Sequence, residues 1–384
     1  MTAVVCLVFG LATAVATAVT IGAVPAGSTG PPVAYQLNPG HTGATNDPRG
    51  PDWTPAWTAN LSNAVSYPVI ADGRVFVLSG TAAATLSAYD AATGVIDWTV
   101  AVGNEPTGLA YDEGQLFEQS GAVMSAFDPA TGAENWTSTL PYQYFFSAAP
   151  TAEDGIVYID GAAGGGTLYA VSETTGALLW AAQTNGNGDS SPAVDASGVY
   201  ESFGCDLTDD HDPQSGALLW QFQTGCEGGG GQTPVLAGGD LYLRDRVLNA
   251  ATGASVATLD AGPAPAVDAT NIYSENGGVL QAQTIGTGEA LWAFTGDGTL
   301  DTAPIVDDGV VYEGAQDGDL YGLSAATGQL LWTTKLASPI SAPPYYGDDS
   351  FWGLAEGDGL LAIPDGDNLV VFSQTAAPPA ARWR

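Results

Sequence analysis

The sequence predicts an all-β fold, an eight-bladed β-propeller of four-stranded antiparallel blades with its ring closed by an N-terminal strand. Three observations predict it: a repeat, the strand pattern inside the repeat, and a displaced tryptophan. The repeat is marked by the glycine of a Thr-Gly or Ser-Gly turn at Gly94, Gly132, Gly176, Gly216, Gly253, Gly288 and Gly328, at intervals of 38, 44, 40, 37, 35 and 40 residues. A proline opening an apolar run keeps step at Pro68, Pro106, Pro150, Pro192, Pro234, Pro265, Pro304 and Pro343. Eight units of roughly 40 residues is a period shared by propeller blades and helical arrays. The seventh unit, "APIVDDGVVYEGAQDGDLYGLSAATGQLLWTT", decides between them. Its short β-branched and aromatic runs alternate with Asp-Gly and Thr-Gly turn clusters, and no 3.6-residue apolar period is sustained.

Within each unit the residues have separable physical roles. The aspartate of the turn (Asp90, Asp128, Asp212) can accept from backbone N–H groups just ahead of it, and the glycine supplies positive φ. Four residues after the glycine stands tryptophan, at Trp98, Trp136, Trp180, Trp220, Trp292 and Trp332, large enough to cover the seam between neighbouring blades. The fifth unit carries Ala257 there, so its seam is expected to be the weaker one. The eighth unit lacks the turn. Trp57 precedes Pro68 by 11 residues, as Trp332 precedes Pro343, so Trp57 reads as the missing outer-strand tryptophan. A strand donated by the N-terminus then closes the ring without a free edge.

The motif Ala-x-Asp-x-x-Thr-Gly-x-x-x-Trp, as in "SAYDAATGVIDW", resembles the repeat of the pyrroloquinoline-quinone (PQQ) superfamily, and the resemblance covers about residues 52 to 375. That family holds quinoprotein alcohol and sugar dehydrogenases as well as cofactor-free propellers such as the barrel-assembly lipoprotein of bacterial outer membranes. The resemblance implies that the repeated tryptophans are docking residues. The segment "YQLNPGHTGATND" looks like the lead-in of exported bacterial members.

Composition narrows the partners. Seven Lys+Arg face 42 Asp+Glu, a formal net charge of −35, which excludes nucleic acid and anionic lipid as ligands. Residues 1–26 are uncharged and apolar and end in a small-residue site at Ala26, reading as a signal peptide or N-terminal anchor. The expected organisation is that segment, an extended lead-in over 27–51, the propeller over 52–375 and a tail over 376–384. An extracytoplasmic monomer follows, secreted or held at the cell envelope. In an oxidising compartment Cys205 and Cys226 are expected to pair as a disulfide.

Little in the chain asks for catalysis. A quinoprotein dehydrogenase with PQQ and Ca²⁺, acting on an alcohol or sugar, is the alternative; such enzymes often carry adjacent cysteines over the quinone, and this chain has no Cys-Cys pair. The cluster "CDLTDDHDP" could be read as a metal site, yet Asp212 falls on the turn aspartate. His211 occupies the strand position held elsewhere by Tyr89, Phe127, Val171 and Leu323, so a packed histidine is expected. Asp-Gly turns near 317 and 365 are hairpin chemistry, and the glycines 228–231 lack the helix and lysine of a phosphate loop. No catalytic, metal or cofactor residue is assigned. The polar residues before the marker prolines (Asp189, Ser190, Gln232, Thr233, Asp301, Thr302) are the candidate ligand site, at a channel mouth suited to a polar or cationic ligand. The expected function is an exported, non-catalytic protein- or ligand-binding scaffold.

Overall fold

The computed structural model describes residues 32–47, 50–163, 165–184, 186, 190–203, 207–224, 232–340 and 353–374. The expected features at residues 1–26, Asp189, Cys205, Cys226, 228–231, Pro343 and 376–384 lie outside the described residues. Eight antiparallel four-stranded sheets follow one another along the chain. Blade 1 spans 69–101, blade 2 106–139, blade 3 151–183, blade 4 193–222, blade 5 235–258, blade 6 266–294 and blade 7 305–335. Blade 8 takes three strands from 355–374 and its outer strand from Trp53–Asn60, which pairs antiparallel with Asn368–Gln374. The predicted closure of the ring by the N-terminus is therefore what the chain does. Among the described residues no helix is long and apolar enough to cross a membrane.

Local chemistry accounts for the hairpins. The turns between first and second strands put both central residues at positive φ, as at Asp72–Gly73 (50° and 70°), Asp154–Gly155 (52° and 84°) and Asp308–Gly309 (39° and 83°). This is the geometry whose twist matches paired strands, and it selects Asp-Gly. In the turn between third and fourth strands, Asp90, Asp128 and Asp212 each accept from the backbone N–H and hydroxyl of the Thr or Ser three residues on, at 2.6–2.8 Å. Blade 2 departs from the proline marker. Tyr111 occupies the place of Ile70, so Leu109 stands where Pro68 does and Pro106 falls three residues early.

The seams are built from tryptophan and glycine together. Each indole N–H donates to the carbonyl three residues before the glycine of the next blade's turn: Trp57 to Ala91, Trp98 to Pro129, Trp136 to Glu173, Trp180 to Pro213, Trp220 to Ala250 and Trp292 to Ala325, at 2.6–3.0 Å. The ring then lies on that glycine. A Cβ added at Gly94, Gly132, Gly176, Gly216, Gly253 or Gly328 would sit 2.5–2.7 Å from the indole. Gly288, which faces the seam where Ala257 replaces tryptophan, would meet nothing within 4 Å. Trp332 packs edge-on against Phe372 at 5.5 Å instead, because blade 8 borrows its fourth strand and has no such turn to offer.

This separates two demands on the same glycine. Gly288→Ala meets only the left-handed backbone, at φ 63°, and is expected to cost about 1 kcal/mol. Gly176→Ala, at φ 68°, adds a collision with the Trp136 ring and is expected to cost about 3 kcal/mol. Urea unfolding of the two variants checks the difference; equal losses would mean that the indole does not rest on the turn.

Candidate functional site

The central channel is occupied by the chain itself. Residues 32–47 make one circuit of it, and their carbonyls accept from one equivalent N–H on the first strand of successive blades. Pro32 takes Ile70 of blade 1, Val33 takes Tyr111 of blade 2, Pro39 takes Val194 of blade 4 and Gly40 takes Leu236 of blade 5. Thr42 then takes Val267 of blade 6 and Gly43 takes Val306 of blade 7, all six at 2.7–2.9 Å. Ala44–Thr45 pairs parallel with blade 7, and Asp47 accepts from Gly359 N–H in blade 8 at 2.8 Å. At blade 3 the fully buried His41 contributes Nε2, 3.2 Å from Thr151 Oγ1 and 3.4 Å from Ser191 Oγ. Burial lowers its pKa to about 3, so the imidazole is neutral. Gly40 and Gly43 are needed because a Cβ at either would come within about 3 Å of a first-strand carbonyl, Leu236 or Pro304.

The residues expected at the channel mouth divide accordingly. Ser190 Oγ accepts from Ser202 N–H at 3.0 Å and Thr302 Oγ1 from Gly314 N–H at 2.8 Å, as Ser66 Oγ does from Leu78 N–H in blade 1 at 3.0 Å. A hydroxyl two residues before the proline thus ties the entry of the first strand to the second. Thr233 Oγ1 accepts from Ser191 N–H across the blade 4–blade 5 seam, and Gln232 donates to the Gly262 carbonyl at 2.8 Å. These four are buried in the framework. Asp301 stays half-exposed and accepts from Gln316 Nε2 at 2.7 Å.

Sequence reasoning missed a set of buried acids on the second strands, Glu118, Asp160, Glu201, Glu275 and Glu313 of blades 2, 3, 4, 6 and 7. Burial pushes Glu118 up to about 7 against the lowering effect of the Ser120 hydroxyl. It holds Glu201 well above the usual carboxylate range, where the facing carboxyl of Asp160 adds to the effect. Glu313 is raised by the same desolvation and by the nearby charge of Glu275. The available signal was an acid inside an otherwise apolar strand, as in "VYES" and "VYEG".

On the side of the disc bearing the loops between blades lies a cavity of about 510 Å³, spanning blades 5 to 7. Arg244, Glu275, Thr299, Asp301 and Gln316 supply its polar lining. A PQQ cofactor is a polycarboxylate and needs cations around it. Among the described residues, Arg244 is the one cation lining this cavity, beside the carboxyls of Glu275 and Asp301. The "TDDH" cluster packs into blade 4, with Asp209, Asp210 and His211 buried and His211 Nδ1 3.2 Å from the Gly216 carbonyl. Among the described residues the one gathering of three metal-type ligands is Asp297, Asp317 and Asp319, and there the Lys335 ammonium already bridges Asp317 and Asp319. Over blades 2 and 3 the loop after Leu140 exposes Tyr142 (84 %) and Tyr144 (82 %). Gln143 between them is buried and donates to Thr167 at 2.9 Å, and Phe145 accepts through its carbonyl from Ala162 N–H at 2.9 Å.

Over residues 52–119, 119–202 and 207–375 the chain matches the family described as outer membrane protein assembly factor BamB, and it belongs to that family. No curated protein matches it significantly. Among solved structures it is similar to BamB from Moraxella catarrhalis, with 19 % identity, a TM-score of 0.66 and coverage of 84 % of this chain and 99 % of that one. It is also similar to a europium-containing methanol dehydrogenase, at 15 % identity and TM-score 0.70, over 90 % of this chain and 98 % of the enzyme. The quinohemoprotein alcohol dehydrogenase of Comamonas testosteroni shares 16 % identity at TM-score 0.71, over 93 % and 82 % of the two chains. At these identities the three likenesses show the fold.

Proposed function

We propose, from membership of this assembly-factor family, that the protein is an extracytoplasmic, non-catalytic scaffold that holds a protein partner. The observation that carries the reading is the loop with Tyr142 and Tyr144. Its backbone is pinned by Gln143 and Phe145 while both rings project into solvent. Rigid, exposed tyrosines lose little entropy on contact and are typical interface anchors. The net charge of −35 selects a partner surface rich in Lys and Arg, which also stacks on tyrosine faces. The uncharged N-terminal segment supports export, either as a cleaved signal or as an anchor.

A small PQQ- and Ca²⁺-dependent dehydrogenase is the competing reading, and one titration separates the two. PQQ with excess Ca²⁺, followed by quinone absorbance and tryptophan fluorescence, is expected to show no saturable binding at tens of micromolar. Stoichiometric, Ca²⁺-dependent binding would replace the scaffold with the enzyme. For the docking loop, Tyr142→Ser combined with Tyr144→Ser is expected to leave the melting temperature unchanged while abolishing co-purification of the partner from the native envelope.

A further inference from the structure

The cavity over blades 5 to 7 is electrically polarised, and its walls say what it would take. Arg244 stands at the blade 5 end, between Tyr242 and Arg246, and its carbonyl accepts from Ala261 N–H at 2.9 Å, which fixes the loop. Glu275, on the second strand of blade 6, lies in the middle and is buried, one oxygen accepting from Gly278 N–H at 2.7 Å. Asp301 and Gln316 close the blade 7 end, joined by their 2.7 Å hydrogen bond. The order of blades around the ring therefore sets a guanidinium at one end and carboxylates from the middle to the other. Gly277, Gly278 and Gly298 line the wall without side chains. Among the described residues no lining residue is aromatic.

We propose that this cavity binds a small zwitterion bearing a free amine and a free carboxylate, either an α-amino acid or a short peptide. The carboxylate meets Arg244, whose five N–H donors serve more than one acceptor, and the ammonium meets Asp301 and Glu275. A polyanion is opposed by two carboxylates and a polycation by the guanidinium. A neutral sugar would lack the aromatic face on which such rings commonly stack. The volume, about 510 Å³, lies in the range of small-molecule sites and leaves room for more than one residue of peptide. The site is separate from the tyrosine loop, so it stands or falls independently of partner docking.

The test uses triglycine, glycine, N-acetyl-triglycine and triglycine amide, titrated by calorimetry into the full-length protein at 0.15 M salt. Triglycine or glycine is expected to saturate below 10 mM, and the tighter of the two identifies peptide or free amino acid. Blocking either terminus is expected to weaken binding at least tenfold. Arg244→Gln is expected to lose the preference for a free carboxylate while keeping the preference for a free amine, and Asp301→Asn the reverse. Unchanged melting temperatures certify that both variants fold. Equal binding of the blocked and free peptides, loss of neither preference in the variants, or no saturation by any of the four would overturn the assignment.

Discussion

A chain lacking residues 1–61 is expected to lose the native fold at ambient temperature, or to melt with a stability loss on the order of 5 kcal/mol or more. The strand removed, Trp53–Asn60, acts at two interfaces at once. It completes the sheet of blade 8, paired from Trp53 opposite Gln374 to Asn60 opposite Asn368 with a bulge between Pro55 and Trp57. Its Trp57 also lies on the Gly94 turn and donates to Ala91 of blade 1. Its loss leaves a bare sheet edge and an uncovered seam, and the strap formed by residues 32–47 through the channel goes with it. A chain lacking only residues 1–50 keeps the strand and loses the strap, so it is expected to stay folded with a lower melting temperature. Near-ultraviolet circular dichroism during heating distinguishes the two. A chain without residues 1–61 that melted within a few degrees of the full-length protein would show that the ring does not depend on this closure.

The second large effect is with pH. Glu118, Glu201, Glu313 and Asp210 all have folded-state pKa values raised above the ordinary carboxylate value by burial, Glu118 to about 7 and Asp210 to about 8. Between about pH 4.5 and these values the folded protein holds protons that the unfolded chain has released. Stability therefore falls as pH rises through that window. Glu118 alone corresponds to a loss on the order of 3 kcal/mol. His41 acts in the opposite direction. Its pKa is lowered from 6.5 to about 3, so its contribution is complete above pH 6.5 and declines as pH falls below it. The carboxyls outnumber it. Maximal stability is expected near pH 4 to 4.5, with a steady decline from there to pH 8. Denaturant midpoints across pH 4 to 9 check this, and a curve that rises towards pH 8 would refute the assignment of buried neutral carboxyls. The turn aspartates Asp90, Asp128 and Asp212 are half-exposed and held below the usual range by their Thr or Ser partners, so what they add is lost only at still lower pH.

Much of this architecture is readable from residues that repeat. The turn glycines, the tryptophans four residues later and the displaced Trp57 report the blades, their number and the closure, because each makes the same contact in unit after unit. Even the exception at Ala257 is readable, and Gly288 faces open space there. The strap is not readable in this way. Its contacts are backbone carbonyls on first-strand N–H groups, so its Pro, Asn, Gly and Thr residues show no apolar period to detect. Of the polar residues before the prolines, Ser190 and Thr302 turn towards their own second strands. Whether a hydroxyl at that position points along the channel or into the blade depends on local backbone direction, which composition does not encode. The cavity combines loops of three blades and has no sequence signature of its own.

The pairing of Trp53–Asn60 with Asn368–Gln374 also has a kinetic consequence. Thr54 donates to the carbonyl of Ser373, a contact across 319 residues. Trp53–Asn60 is therefore synthesised long before Asn368–Gln374 and waits for it before it has a sheet to join. Blades 1 to 7 can form from neighbours as they emerge, but the ring closes only once Asn368–Gln374 has been made. Contacts of such sequence separation make folding slow and leave an open edge exposed in the meantime. Completion of this fold thus waits for Asn368–Gln374, and a chain truncated before that strand would have no partner for Trp53–Asn60.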